Sequence, residues 1–496
     1  MPRSEPRRNW GEGSGKGVLV MEKRKVGILT FSDGRAAVHK DLEPLNKEFQ
    51  GRLAEALRKT GEVEPIEAEE IIWSAEIAKQ EAKRLAKAGC ELTIFNFAVW
   101  SFPHFSAVAS QFAPGPFLLF SNINPQYPGM VGMLASAGAL DQIGAFHGRA
   151  FGDIDDDAVL DRVMAFVRGA SAIHRLRGKT FGLFGGRPMG MYTAVSNADQ
   201  WMSLFGIDVE HIDQSEIIRR SALASSEEVE RAFEWLSAKV GKIRYDGKQL
   251  TPEKLKLQIR SYIAIREMIE EMNLDFVGFK GQPELTDHFV TMDVTEAFLN
   301  DPYDWNGPKE PVIAATEADM DGALTMEIFK HITRKPILFA DVRHYDVELG
   351  LLDLCNSGTH PTYFAGRSMD PDVNLAKVEF YPQGFYFPAG GASVRHFAAP
   401  GEVTLARLAR RSGKYWLAIL PAEFVELPTE LAEKKAAEVQ VDWPHAYARL
   451  RVTPDEFLGE YDSNHIHGTY GDWVDELVWA AKVLGIEYRI FDGKAV

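Results

Sequence analysis

Residues 316–343, TEADMDGALTMEIFKHITRKPILFADVR, place a carboxylate at the end of each of two short apolar runs. The first run is PVIAAT, residues 311–316, followed by Glu317. The second is ILFAD, residues 337–341, ending on Asp341. Between them, Ala323, Leu324, Met326, Ile328 and Phe329 recur at helical spacing. Asp321-Gly322 is the expected cap of that helix, and Arg334-Lys335-Pro336 ends it. Strand, helix, strand over so short a length predicts a crossover unit with two parallel strands. If those strands are neighbours, Glu317 and Asp341 stand at adjacent tips, about 5 Å apart. In open α/β sheets, that edge is where ligands bind.

Two carboxylates so close repel each other. Either they share a proton or a cation lies between them, and hard divalent ions with oxygen ligands suit that geometry. The plainer reading is two helix caps or solvated loop acids. For one acid at a strand end the plainer reading leads. For two acids at matched ends of consecutive strands, a functional pair is the better account.

Outward from this stretch the chain keeps alternating strand and helix patterns. VGILTF near residue 26 reads as a strand, leaving through Asp33-Gly34-Arg35 into a helix over 42–60. A second helix closes at Gly89. CELTIFNFAVW and GPFLLFSN read as buried strands. The pattern restarts near residue 176 with GKTFGLFGG and continues through LDFVGFKGQ, PVIAAT and KPILFAD. After about residue 350 the texture changes to short alternating runs punctuated by Gly and Pro. The expected fold class is α/β: two doubly wound parallel-sheet domains followed by a β-rich C-terminal domain. The expected boundaries are a disordered tail over 1–24, α/β domains over 25–175 and 176–352, and a β-rich domain over 353–496. A helix over 473–484 precedes a last strand, EYRIF.

The bulk properties exclude several classes. A formal net charge of −16 argues against nucleic-acid or anionic-membrane binding. Cys90 and Cys355 are too few for a disulfide framework or a structural zinc site. No apolar stretch reaches the roughly 20 residues of a membrane span, and no signal peptide is legible. A cytoplasmic protein is the expectation.

A second informative stretch is YDSNHIHGTYGDWVDELVW, residues 461–479. His465 and His467 share a face if the segment is extended. Either is a surface or capping residue, or a metal ligand through a neutral imidazole in a loop before the helix. FGGRPMGM lacks the order of a phosphate-binding loop and reads as a tight turn. The acid run Asp153–Asp157 reads as a helix start. Trp100, Tyr386 and Trp443 are aromatics able to stack on a sugar face, although aromatics in strands more often serve the core.

EADMDGALTM followed by FAD, together with NHIHGTYGDWVDEL, resembles the L-fucose isomerase family, whose members also act on D-arabinose. VGILTFSDGR resembles that family's N-terminal strand and turn, and FKGQ its substrate-contacting Gln segment. The resemblance implies an aldose–ketose isomerase, an intramolecular oxidoreductase working through an enediol. It implies a divalent metal, typically Mn2+, held by Glu317, Asp341 and His465, with both carboxylates also catalytic. The substrate contacts it implies are Gln282 and Asn464, with Trp100, Tyr386 and Trp443 as looser matches. It also implies a hexamer in which a neighbouring subunit completes each site. Leu29 stands where the family has an arginine, so the preferred aldose is left open. Two alternatives stand beside this reading: an L-arabinose isomerase, whose metal set would need a second histidine such as His467, and a non-catalytic cytoplasmic sugar-binding protein.

Overall fold

The computed structural model describes residues 22–493. Residues 1–21 of the expected tail lie outside them, and Arg24 already opens the first strand. The chain forms two compact units. One comprises residues 22–175 with 475–485, and the other residues 176–474 with 486–493.

The first unit is built on a five-stranded sheet. Its strands are β1 (Arg24–Thr30), β2 (Val63–Glu67), β3 (Leu92–Phe97), β4 (Phe117–Ser121) and β5 (His147–Phe151), in the order β2-β1-β3-β4-β5. Every pairing is parallel. All six residues of β3 are buried, as its unbroken apolar run requires of a strand covered on both faces. The helix Ala75–Lys87 starts at Ser74, whose side chain accepts from the Ile77 amide, and Gly89 follows its end at φ +73°. The Asp153–Asp157 run starts a helix as expected, with Asp156 as its cap. The helix Val474–Leu484 contributes Trp479, which packs edge-on against Phe166 at 5.1 Å.

The second unit holds two main sheets. The first is a four-stranded parallel sheet of β6 (Thr180–Phe184), β7 (Asp208–Ile212), β8 (Phe276–Phe279) and β9 (Ala314–Ala315), in the order β9-β8-β6-β7. The second is antiparallel except at its edge. It comprises β10 (Leu338–Asp346), β11 (Leu351–Cys355), β12 (Gly401–Arg411), β13 (Lys414–Phe424), β14 (His445–Leu450), β15 (His465–Tyr470) and β16 (Glu487–Ile490). Its order is β12-β15-β10-β11-β14-β13-β16, and β12 also pairs with β13 through eleven residue pairs. The first six strands therefore close into a barrel, with β16 added in parallel alongside β13.

Closure sorts the side chains by the two-residue period of a strand. Leu338, Ala340, Leu352, Leu354, Val403, Leu405 and Ile466 share one buried core. Phe339 and Asp341 on β10, and His465 and His467 on β15, alternate with these and point the other way. The helix Met320–Thr333 packs against β12 and β15.

Here the structure corrects the expected crossover. β9 and β10 are not parallel neighbours; they belong to different sheets. The helix between them leads from the parallel sheet to the barrel, and β10 pairs antiparallel with β11 and β15. An apolar run marks a strand but does not name its partner. β9 is also only two residues long, because the chain turns sharply at Thr316. Within the expected β-rich region, Tyr363–Gly366 form a short helix.

Candidate active site

The turn Thr316–Ala318 carries Glu317 at φ 55°, ψ 27° and Ala318 at φ 48°. Two successive non-glycine residues in the left-handed region are costly, at about 1–2 kcal/mol each, and persist only where the surroundings over-determine them. Their effect is to turn Glu317 and Asp319 toward the same imidazole. Asp319, not Asp321, is the cap of the following helix, accepting from the Gly322 amide at 2.9 Å. Asp321 instead accepts from Arg410 Nε at 2.7 Å and from the Tyr415 hydroxyl at 2.8 Å.

His465 is the centre of the cluster and is fully buried. It stands on β15 rather than in a loop, directly across the ladder from Asp341 on β10. Its Nδ1 lies 2.6 Å from Asp319 Oδ2. Its Nε2 lies 2.9 Å from Glu317 Oε2 and 3.4 Å from Asp341 Oδ1, yet neither contact is aligned as a hydrogen bond. Asn356 Nδ2 donates to Asp341 Oδ2 at 3.0 Å, and Asn464 Nδ2 to Asp341 Oδ1 at 3.3 Å. Behind Asp319, Arg407 grips both of its oxygens, with Nη2 at 3.0 Å from Oδ1. The same guanidinium reaches His467 Nε2 at 3.1 Å.

The electrostatics follow from burial and from three carboxylates around one ring. Burial opposes charge on His465, but Asp319 and then Glu317 outweigh it and push the imidazole up to about 10. Burial raises Asp341 above the ordinary carboxylate range, partly offset by His465. Burial also opposes charge on Asp319, and Arg407 followed by His465 overcomes it and holds the carboxyl far below that range. His467 goes the other way: burial, then the Arg407 charge, keep it neutral.

In donor type, two carboxylates and an imidazole are a set that suits a divalent cation. An unpartnered buried ring nitrogen converges with two carboxylate oxygens, and their separations of 2.9 and 3.4 Å resemble those of neighbouring ligands on one ion. Octahedral ligands at roughly 2.1–2.3 Å from an ion stand roughly 3.0–3.3 Å apart. The high pKa of His465 expresses the same demand for positive charge among the carboxylates.

The other candidates fall in several places. Gln282 lines a small cavity with Glu296, Thr316, Ser357 and Phe387, so it shares a wall with the residue preceding Glu317. Trp443 is buried and donates from Nε1 to Gln383 at 2.9 Å; Phe387 stacks on it at 5.9 Å and Tyr386 lies 6.0 Å away. Trp100 belongs to the first unit, just past β3. His467 is turned to Arg407 rather than grouped with Glu317 and Asp341. Sequence reasoning missed Asp319, Arg407 and Asn356. Asp319 lies in the quoted stretch and was available as a cap, whereas Arg407 looks like one more polar residue in an alternating strand.

Three domain models match in order along the chain: L-fucose isomerase, first N-terminal domain, over residues 23–178; second N-terminal domain, over 265–334; and C-terminal domain, over 354–492. Glu317 falls within the second match and His465 within the third, while Asp341 lies between them. An L-fucose isomerase of Bacteroides thetaiotaomicron is 26% identical over 93% of this chain and 92% of its own. Those of Citrobacter koseri and Vibrio vulnificus are 26% and 24% identical, covering 86% and 93% of this chain and 85% and 92% of theirs. With three consecutive domain matches and relatives aligned along nearly its whole length, the chain belongs to the L-fucose isomerase family of aldose–ketose isomerases.

Proposed function

We propose that the protein is a metal-dependent aldose–ketose isomerase acting on L-fucose, D-arabinose or a related aldose through an enediol. The observation that carries this reading is the meeting of Glu317, Asp341 and the free Nε2 of His465 at one buried point. These three would hold the ion, Mn2+ in this reading. When bound, it polarises the substrate carbonyl and stabilises the negative charge that develops during enolisation.

The remaining steps belong to the chain. In the aldose-to-ketose direction a carboxylate removes the proton from C2, giving the enediol. The proton then returns to C1 while the O2 hydroxyl proton passes to O1. Asp341, raised by burial, is suited to the carbon-bound proton, and Glu317 to the hydroxyl proton. Asn356 and Asn464 hold the Asp341 carboxylate in place. Gln282 in the adjoining cavity, with Asn464, would hydrogen-bond the sugar hydroxyls, and Tyr386 and Trp443 would offer apolar faces. Assembly into a homo-oligomer, a hexamer in this reading, is supported by the exposed apolar face Met130, Val131 and Leu134 on the helix Gly129–Gln142.

The test is a panel of aldopentoses and 6-deoxyhexoses assayed for ketose with chelated and Mn2+-restored protein. Chelation should abolish turnover and Mn2+ should restore it. Run from ketose to aldose in D2O, an enediol route places solvent deuterium at C2 of the aldose. Full activity after thorough metal removal, or no deuterium at that carbon, would sink the proposal.

A further inference from the structure

We infer that Asp319 is a positioning residue: it fixes the ring of His465 so that Nε2 alone is presented to Glu317 and Asp341. The inference rests on the metal-binding reading of those three side chains.

An imidazole on a strand can rotate about its side-chain torsions and can carry its proton on either nitrogen. At His465 that freedom is removed from one side. Asp319 Oδ2 lies 2.6 Å from Nδ1, which keeps a proton there, so that Nε2 is the nitrogen whose proton an ion would displace. Phe339, beside it on the neighbouring strand, packs against the ring at 4.6 Å.

Asp319 is itself held from three directions. The Gly322 amide donates to Oδ1 at 2.9 Å, because Asp319 caps the helix. Arg407 spans both oxygens with its planar fork. The third constraint is the pair of left-handed residues before it, which deliver Glu317 to Nε2 and Asp319 to Nδ1 of one ring. Room for this arrangement depends on Gly322: a Cβ there would lie 2.6 Å from Asp319 Oδ2 and 2.8 Å from Arg407 Nη1. Asp319 and Arg407 are both fully buried, so an ordinary surface ion pair does not describe them. Burying such a pair carries a desolvation penalty whatever its role; its geometry is the one that holds an oxygen against Nδ1 of His465.

The experiment measures binding of Mn2+ alone to metal-stripped protein by the EPR signal of the free ion, with thermal melting as a check of folding. Asp319→Asn keeps an acceptor for the Gly322 amide but loses the charge opposite Nδ1. It should weaken Mn2+ binding by roughly 10–100-fold, the usual cost of removing a partner of a ligating histidine. Arg407→Lys keeps a positive charge but loses the fork, and should weaken binding by a smaller factor. If Asp319→Asn does not fold, Arg407→Lys carries the test. Wild-type affinity in a folded Asp319→Asn, or in Arg407→Lys when the first variant is lost, overturns the positioning role. Absence of stoichiometric Mn2+ binding by the wild type overturns instead the metal reading beneath it.

Discussion

In the metal-free wild-type protein, stability should show a large pH dependence that originates in one ring. His465 is fully buried, and its partners push its pKa up to about 10 from an ordinary value near 6.5. A group whose pKa is raised by folding stabilises the native state fully below its unfolded value. That contribution is lost as pH rises through the folded value. The interval from 6.5 to about 10, at about 1.4 kcal/mol per pH step, corresponds to about 5 kcal/mol. For a unit of roughly 300 residues this is roughly 5–10 °C in melting temperature. The assay is scanning calorimetry of chelator-stripped wild type and His465→Asn between pH 6 and 10, read as the difference between the two. Lys309, pushed down to about 8 by burial, titrates in the same window in both proteins and cancels. The wild-type advantage should be greatest near pH 6 and shrink toward pH 10. Saturating Mn2+ should flatten the wild-type curve, since an ion on Nε2 displaces the proton being titrated. A pH-independent difference between stripped wild type and variant would refute the assignment of that charge to His465.

Asp341→Asn should keep the fold, because the amide has the same size and still meets Asn356 and Asn464, but turnover should fall by about 10²–10⁴-fold or more in a steady-state ketose assay. Gly322→Ala should destabilise by roughly 1–3 kcal/mol in denaturant titration, although Gly to Ala normally favours a helix, because the new methyl meets Asp319 and Arg407; a stabilised variant would contradict that packing.

Much of this architecture is legible in the residues, and the exceptions have physical reasons. The buried run of β3 and the capped helix at Ser74 announce themselves, because both signals are local. Glu317 and Asp341 are legible as a pair through their placement after apolar runs. Their route to each other is not. β10 pairs with β15, whose residues lie more than a hundred positions away, and nothing local in ILFADVR distinguishes a barrel strand from a parallel one. The left-handed Glu317 and Ala318 are equally hidden, since neither residue type favours that conformation and only the surrounding fold holds it. Asp319 and Asp321 are both plausible caps by composition; the choice is made by Arg407 and His465, which only the folded chain brings near.

The barrel closure has a consequence for the order in which the molecule matures. His465 and Asp319 are separated by 146 positions, and the rung joining His465 to Asp341 exists only once β15 has docked against β10. A nascent chain lacks the last of these donors until residue 465 has been synthesised. The loop that must then be closed is long, and its entropy is paid before the contacts between β15 and β10 offset it. An ion held by Glu317, Asp341 and His465 would therefore find no complete set of donors before that docking. In the metal-binding reading, such an ion would recognise finished molecules, and the mass action of its binding would stabilise those alone.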